Sequence, residues 1–161
     1  MRIRLNKKGF TLIELLIVVA IIGIIAAIAI PNLLNAIQRG KQKRTMADMR
    51  SIATAIEAFS VDNNRYPAGG SPLSDIRSSV EPRYIKKLPT VDAWNTPYDY
   101  IAGPTSATAQ QYTIASCGKD GGGSGATCTP DLVYSGSTTN FNNDLVFSQG
   151  SFIAFPEGSQ E

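Results

Sequence analysis

Histidine is absent from the 161 residues. That removes the commonest general base and the commonest metal ligand, and enzymes built on either are a poor expectation. Cysteine is nearly absent. Cys117 and Cys128 enclose ten residues, and without histidine this spacing matches no usual zinc site. If the domain is exported to an oxidising compartment, the pair is expected to close as one disulfide, worth about 3 kcal/mol in the chain-entropy account. A nucleophile elbow, a P-loop and a dinucleotide fingerprint are all lacking. Residues 121–125 are glycine-rich but lack the lysine and the strand-to-helix setting that phosphate binding uses. No internal repeat is visible. The chain has room for about one domain, and it does not read as an enzyme.

Charge is sparse and uneven. The formal +2 depends on Arg2, Arg4, Lys7 and Lys8; without them eleven basic residues face thirteen acidic ones. Basic residues cluster again at Arg39, Lys41, Lys43, Arg44 and Arg50, and beyond Arg50 there are six against eleven acidic. A nucleic-acid binder needs a basic face with matching aromatics, and none is expected here. The cluster at 39–44 reads as a solvated helix face.

What the chain does have is one long apolar run. Residues 10–30 are almost pure hydrocarbon, interrupted by Glu14. As a helix rising about 1.5 Å per residue they would span roughly 30 Å, the thickness of a bilayer core. The basic residues ahead of the run favour a cytoplasmic N-terminus, with the remainder across the membrane. A secretory signal cut near 27–29 is one reading, although the run exceeds the usual apolar region. A plain anchor with Glu14 snorkelling to the interface is another.

The stretch K-G-F-T-L-I-E-L-L-I-V-V-A-I-I-G-I after a short basic leader resembles the processing site of type IV prepilins and their relatives, the pseudopilins. The resemblance implies that a prepilin peptidase removes residues 1–9 by cutting between Gly9 and Phe10. The same enzyme then methylates the new amine of Phe10. It also implies that the anchor at 10–30 stays on the mature subunit. A carboxylate within hydrocarbon costs about 2–3 kcal/mol at mid-helix and less near an end, so retaining Glu14 calls for a partner. The resemblance supplies one, the Phe10 ammonium of a neighbouring subunit, which would fix axial register in a filament. Pro31 cannot donate to Ala27, and with Gly23 it weakens the mid-segment as a helix. That weak point is either a passive kink or the place where the helix extends on leaving lipid.

Past the run the pattern turns amphipathic over 31–62. Met49, Ile52, Ile56 and Phe59 form a stripe, with Leu33, Ile37 and Met46 extending it less regularly. One helix is expected from Phe10 to near Val61, ended by the N-N-R-Y-P-A-G-G breakers at 63–70. A connector with a short helix near 74–80 follows. Strands are expected at 98–101, 111–115, 132–134, 145–148 and 152–155, as a small antiparallel sheet covering the stripe. The fold class is α+β and pilin-like, with residues 63–161 as the globular domain.

N-R-Y-P at 64–67 and D-A-W-N-T-P-Y-D-Y at 92–100 resemble the major pseudopilins of type II secretion, where glycine usually stands at the position of Asn95. Asparagine also tolerates left-handed backbone, so the turn is expected to survive. The S-C-G-K-D-G stretch at 116–121 resembles that family's calcium loop. The resemblance implies structural Ca²⁺ held by Asp120, with Asp131 or Asp144 closing the site and Asn143 and the Ser116 carbonyl helping. Calcium takes six to eight hard oxygens, and here one family acid is replaced by Asn143. A flexible glycine loop stapled by Cys117–Cys128 is the alternative. The implied role is a structural subunit of an inner-membrane-anchored, periplasmic pseudopilus that drives protein export. Its implied partners are further copies of itself, minor pseudopilins, and an assembly platform with its ATPase. A type IV pilus subunit and a monomeric membrane-anchored binding module are the competing readings.

Overall fold

The structure is a computed structural model that describes residues 9–103, 110–122, 128 and 136–157. The chain forms two compact units, Met1–Ile37 and Gln38–Glu161. Helix α1 (Leu12–Asn63, 52 residues) contributes to both. It starts and ends within two residues of the expected bounds.

In the first unit every described residue is exposed except Ala26, which is half-buried. Gly23 and Pro31 both lie inside α1. Pro31 leaves the Ala27 carbonyl without its helical donor. One residue on, the Asn32 amide donates to the Ile28 carbonyl at 3.1 Å, a side-chain bond that competes with the backbone ladder.

In the second unit α1 buries one face. Met46, Met49, Ile52, Ala53 and Ile56 enter the core, at the three- and four-residue spacing that puts side chains on one side of a helix. The predicted stripe is correct at Met49, Ile52 and Ile56. Phe59 is only half-buried, packed edge-on against Tyr84 with centroids 5.6 Å apart, and Leu33 and Ile37 are exposed. Asn64 ends the helix in the left-handed region at φ 53°. A 3₁₀ turn at Leu73–Ile76 and the one-turn helix α2 (Arg77–Val80) follow, where a short helix was expected. They send Leu73, Ile76 and Val80 into the same core.

Five strands complete the domain: β1 (Asp99–Gly103), β2 (Gln111–Ser116), β3 (Gly136–Thr138), β4 (Leu145–Ser148) and β5 (Ser151–Pro156). Their order in the sheet is β1-β2-β4-β5-β3. The sheet is mostly antiparallel, as expected, with one departure at its edge. β1–β2, β2–β4 and β4–β5 are antiparallel, but β3 runs parallel to β5. A tight turn at 149–150 makes β4 and β5 a hairpin, whereas β3 precedes both and reaches the far edge of β5 from elsewhere in the chain. The strand expected at 132–134 lies outside the described residues.

Alternation along β2 and β4, with a register shift in the β4–β5 pairing at Val146/Phe147, divides the apolar residues into two clusters. Tyr100, Tyr112, Ile114, Leu145, Phe147 and Phe152 join the helix-side core. Ala115, Cys117, Cys128, Val146 and Ala154 form a second, smaller cluster. Cys117 and Cys128 are bonded, with Cα atoms 5.3 Å apart, so the disulfide is one member of that second cluster.

Candidate functional site

Two regions carry the predicted site residues. The first is the start of α1. Gly9 and Phe10 are exposed and precede the helix. Thr11 is its N-cap, and Thr11-Leu12-Ile13-Glu14 forms a capping box. The Glu14 carboxylate accepts from the Thr11 backbone N–H at 2.8 Å and from its hydroxyl at 2.7 Å. The Thr11 hydroxyl in turn accepts from the Glu14 N–H at 3.3 Å. Glu14 is therefore satisfied within its own chain and closes the helix end. Sequence reasoning gave Glu14 an outside partner or a place at the membrane interface, although T-x-x-E is itself a recognisable capping signal.

The second region joins two turns at one end of the sheet. Ser116 closes β2 opposite Leu145, which places Asp144 beside it in register. Past Ser116, Gly118 adopts φ +67°, and a Cβ there would sit 2.7 Å from the Asn143 carbonyl and 3.0 Å from that of Phe141. The Lys119 N–H donates to the Phe141 carbonyl at 2.9 Å. The 116–122 and 140–144 turns are thus held backbone to backbone, and Ser116, Asp120, Asn143 and Asp144 lie on these two adjoining turns. Asp131 lies outside the described residues. Asp120 is exposed, and one of its oxygens accepts from the Gly122 N–H at 3.2 Å. Asn143 donates its amide to Thr138 at 2.7 Å, leaving its amide oxygen. The Ser116 hydroxyl is buried and donates to Asp92 at 2.7 Å, so its possible share is the carbonyl. Two carboxylates, an amide oxygen and main-chain carbonyls are the hard donor type calcium takes. Asp99 also gathers with both cysteine sulfurs, but those sulfurs are bonded to each other. Its carboxylate instead accepts from Ser71 and from the Cys128 N–H.

A third cluster, the turn at 92–96, positions these parts. Asp92 accepts from the N–H groups of Trp94 and Thr96, each at 2.9 Å, and from Ser116. Asn95 takes φ 70°, as expected for a residue standing where glycine is usual. The turn grips α1 at two points. The Trp94 indole N–H donates to Gln38 at 2.8 Å, and the Ala93 N–H donates to Thr45 at 3.3 Å.

The family model described as type II secretion system (T2SS), protein G, matches residues 32–134. A second, the prokaryotic N-terminal methylation motif, matches residues 4–30. The chain belongs to the type II secretion system protein G family. The type II secretion system core protein G of Pseudomonas aeruginosa is 34% identical over 129 residues, covering 74% of this chain and 90% of that protein. The protein of the same name from Vibrio cholerae is 33% identical, covering 75% and 89%. That of Escherichia coli K12 is 28% identical, covering 75% and 88%. No solved structure matches the chain significantly.

Within this protein G family member the two motifs quoted from the domain prove to be structural. Tyr66 of N-R-Y-P packs its ring 4.8 Å from that of Tyr112, and the Pro67 carbonyl accepts from Tyr100 at 2.9 Å. In D-A-W-N-T-P-Y-D-Y the aspartate ties the turn to β2 and the tryptophan ties it to α1. Sequence reasoning expected Trp94 and the tyrosines to pack and close the turn. It missed Asp92 as the hub and Gln38 as the indole's acceptor. No sequence spacing signals the second, because the pair is 56 residues apart.

Proposed function

We propose that this chain is a structural subunit of a type II secretion pseudopilus, anchored in the inner membrane by α1 and polymerising through it in the periplasm. The observation that carries this reading is the surface of the first unit. Seventeen large apolar residues between Phe10 and Ile37 are exposed. At about 1.5–3 kcal/mol for fully burying each, the apolar cost of leaving them in water is on the order of tens of kcal/mol. A domain stable by only about 5–15 kcal/mol does not carry such a surface without an apolar environment. Lipid supplies that environment before assembly, and the same helix of other copies supplies it afterwards. Membership of the protein G family and the matched methylation motif support the same reading.

Cleavage after Gly9 would leave an ammonium on Phe10, one residue from Thr11. The waiting subunit's own Glu14 carboxylate, held by Thr11, lies close to it in sequence. Assembly then exchanges this local arrangement for pairing with the Phe10 amine of the next copy. An assembly platform and its ATPase would drive the exchange, and minor pseudopilins would begin the fibre. Lengthening the fibre pushes exported proteins outward. Gly23 and Pro31 would mark the stretch of helix that yields during the transfer.

Mass spectrometry of the mature chain tests the processing step. The expected N-terminus is Phe10 with one added methyl; a terminus created near 27–29 rejects the reading, because the assembly helix would be lost. Glu14→Val should leave the subunit in the membrane but sharply reduce sedimentable fibres.

Calcium fits the turn pair. Asp120, Asp144, the Asn143 amide oxygen and the Ser116 carbonyl would hold it, with Asp131 as a further donor. When bound, the ion supplies a cross-link between the two turns. Adding a chelator to the oxidised protein should lower its thermal midpoint, and Asp120→Ala should remove that sensitivity.

A further inference from the structure

The Asp99 carboxylate and the sulfurs of Cys117 and Cys128 have no part in the function argued so far. Their ligand atoms all lie within 4.8 Å of one another. All three residues are buried, the cysteines at 2% exposure and Asp99 at 6%. Asp99 opens β1 opposite Ala115, two residues before Cys117, and the disulfide holds Cys128 beside both. Asp99 stands 29 residues from Cys128, beyond what cysteine spacing alone reveals. A closed disulfide is no metal ligand, because ligation needs thiolate. Every copy of the chain is nevertheless made with two free thiols, and the disulfide closes only afterwards. In that earlier state the same place holds two thiols and a carboxylate, donor types that zinc takes.

The geometry fits a tetrahedral ion. Zn–S bonds of about 2.3 Å and a Zn–O bond of about 2.0 Å set ligand atoms about 3.5–3.8 Å apart. The group is at most about 1 Å wider than that. The cysteine Cα atoms are 5.3 Å apart, so rotation about side-chain bonds carries freed sulfurs to that spacing with the backbone in place. Asp99 keeps acceptor capacity. One oxygen accepts from the Ser71 hydroxyl and the other from the Cys128 N–H, which leaves lone pairs on both. Those bonds also fix the carboxylate's orientation, as partners of a metal-binding carboxylate commonly do. Ser71 is exposed, so ions and water come within one hydrogen bond of the carboxylate, and its hydroxyl or a water completes the four ligands. Two thiolates and a carboxylate would put three negative charges in one buried cluster, which only a cation makes tolerable. Two sulfurs favour a thiophilic ion over calcium.

We propose that, before its disulfide closes, this chain binds one Zn²⁺ through Cys117, Cys128 and Asp99. On binding, two S–H bonds break, two Zn–S bonds form and both protons pass to solvent. Closure reverses the occupancy. The two thiolates give two electrons to an oxidised dithiol, which takes up two protons and becomes its reduced form; the new S–S bond releases Zn²⁺. Metal and disulfide thus exclude each other at one place. The ion holds Cys128 to Cys117 and β1 until the covalent bond takes over. The proposal does not rest on the pseudopilus reading.

The test is titration of the full-length chain in detergent with Co²⁺ and Zn²⁺, in phosphine-reduced and oxidised forms, with excess Ca²⁺ to occupy hard-oxygen sites. The reduced chain should take up one Co²⁺ with a near-ultraviolet sulfur-to-cobalt charge-transfer band, and Zn²⁺ should displace it. The oxidised chain should show no such band and bind Zn²⁺ about a hundredfold more weakly or worse. Asp99→Asn, prepared oxidised and then reduced, should bind Zn²⁺ at least about tenfold more weakly than the reduced wild type. Bound Zn²⁺ should slow disulfide closure by oxidised glutathione severalfold. Zinc X-ray absorption of the reduced wild type should resolve two sulfurs at about 2.3 Å and oxygen at about 2.0 Å, and it decides the matter alone if Asp99→Asn does not fold. Equal Zn²⁺ affinity of the reduced and oxidised forms overturns the proposal. So does an Asp99→Asn chain that binds as tightly as the wild type, or disulfide closure that Zn²⁺ leaves unchanged. A shell of sulfur alone also overturns it, and makes the ion a bridge between two chains. None of these results touches the pseudopilus reading, which is judged separately by the mature N-terminus and by fibre formation.

Discussion

Asn95 and Gly118 share the left-handed region, at φ 70° and +67°, but they should respond oppositely to substitution. Asn95 is exposed at the tip of a turn that Asp92 already organises. Replacing it with glycine removes a Cβ from strained backbone at some cost in chain entropy, and the expected result is a gain of up to about 1 kcal/mol. Gly118 is buried, and a Cβ would press on the carbonyls of Asn143 and Phe141. Both are backbone atoms of a turn fixed to Lys119, so neither yields cheaply. Gly118→Ala should cost about 2–4 kcal/mol, combining left-handed strain with displacement of the facing turn. Urea unfolding of the detergent-held protein, followed by Trp94 fluorescence, measures both changes. Asn95 was legible in the sequence because its turn chemistry is local. The partner of Gly118 was not, because the 140–144 turn meets it only after the sheet has formed.

At the scale of elements, α1 combines a burial stripe in one half with exposure all round in the other. Gly23 lies in the exposed part, and nothing is within 4 Å of where its Cβ would be. Gly23→Ala should therefore strengthen the helix by about 1 kcal/mol without a clash. If a yielding mid-segment is what lets the subunit leave lipid, this stabilising change should slow or reduce fibre assembly. Helix content by circular dichroism should rise or hold while the sedimentable fraction falls; unchanged fibres would make the glycine a passive feature. The helix itself was legible almost to its ends, since its first half is one continuous apolar run and its second a strict three-and-four spacing. So was most of the sheet, through alternation between turn residues. The parallel β3 was not, because strand direction depends on how the intervening chain crosses. A three-residue strand also shows too few residues for alternation to appear. At the start of α1, Gly9, Phe10 and Glu14 fall within the matched N-terminal methylation motif. The capping box lies in the same motif, as a T-x-x-E spacing at the helix start.

For the molecule as a whole, three tyrosines tie helix, connector and sheet into one core. Tyr98 reaches the Thr45 carbonyl on α1, Tyr100 the Pro67 carbonyl, and Tyr112 the Glu57 carboxylate at 2.7 Å. All three are at most 1% exposed. Burial pushes each phenol well above its ordinary value. Asp48 and Asp92 add to the effect at Tyr98, Tyr66 adds at Tyr100, and the bond to Glu57 adds at Tyr112. In the unfolded chain these phenols ionise near pH 10, while in the folded domain they keep their protons. The folded state then binds more protons, so this contribution is complete below about pH 10 and declines as pH rises towards the folded values. Each tyrosine should remove about 1.4 kcal/mol per pH unit above pH 10, and the three together about 4 kcal/mol. That is a large fraction of the total stability of a domain this size. Denaturant midpoints should therefore be flat for these groups between pH 7 and 9 and fall steeply between pH 10 and 11. Tyr100→Phe provides the check on cause. It should lower stability at pH 8 by about 1 kcal/mol through the lost bond to Pro67, while reducing the alkaline slope by about a third. An alkaline slope unchanged in that variant would place the titrating groups elsewhere.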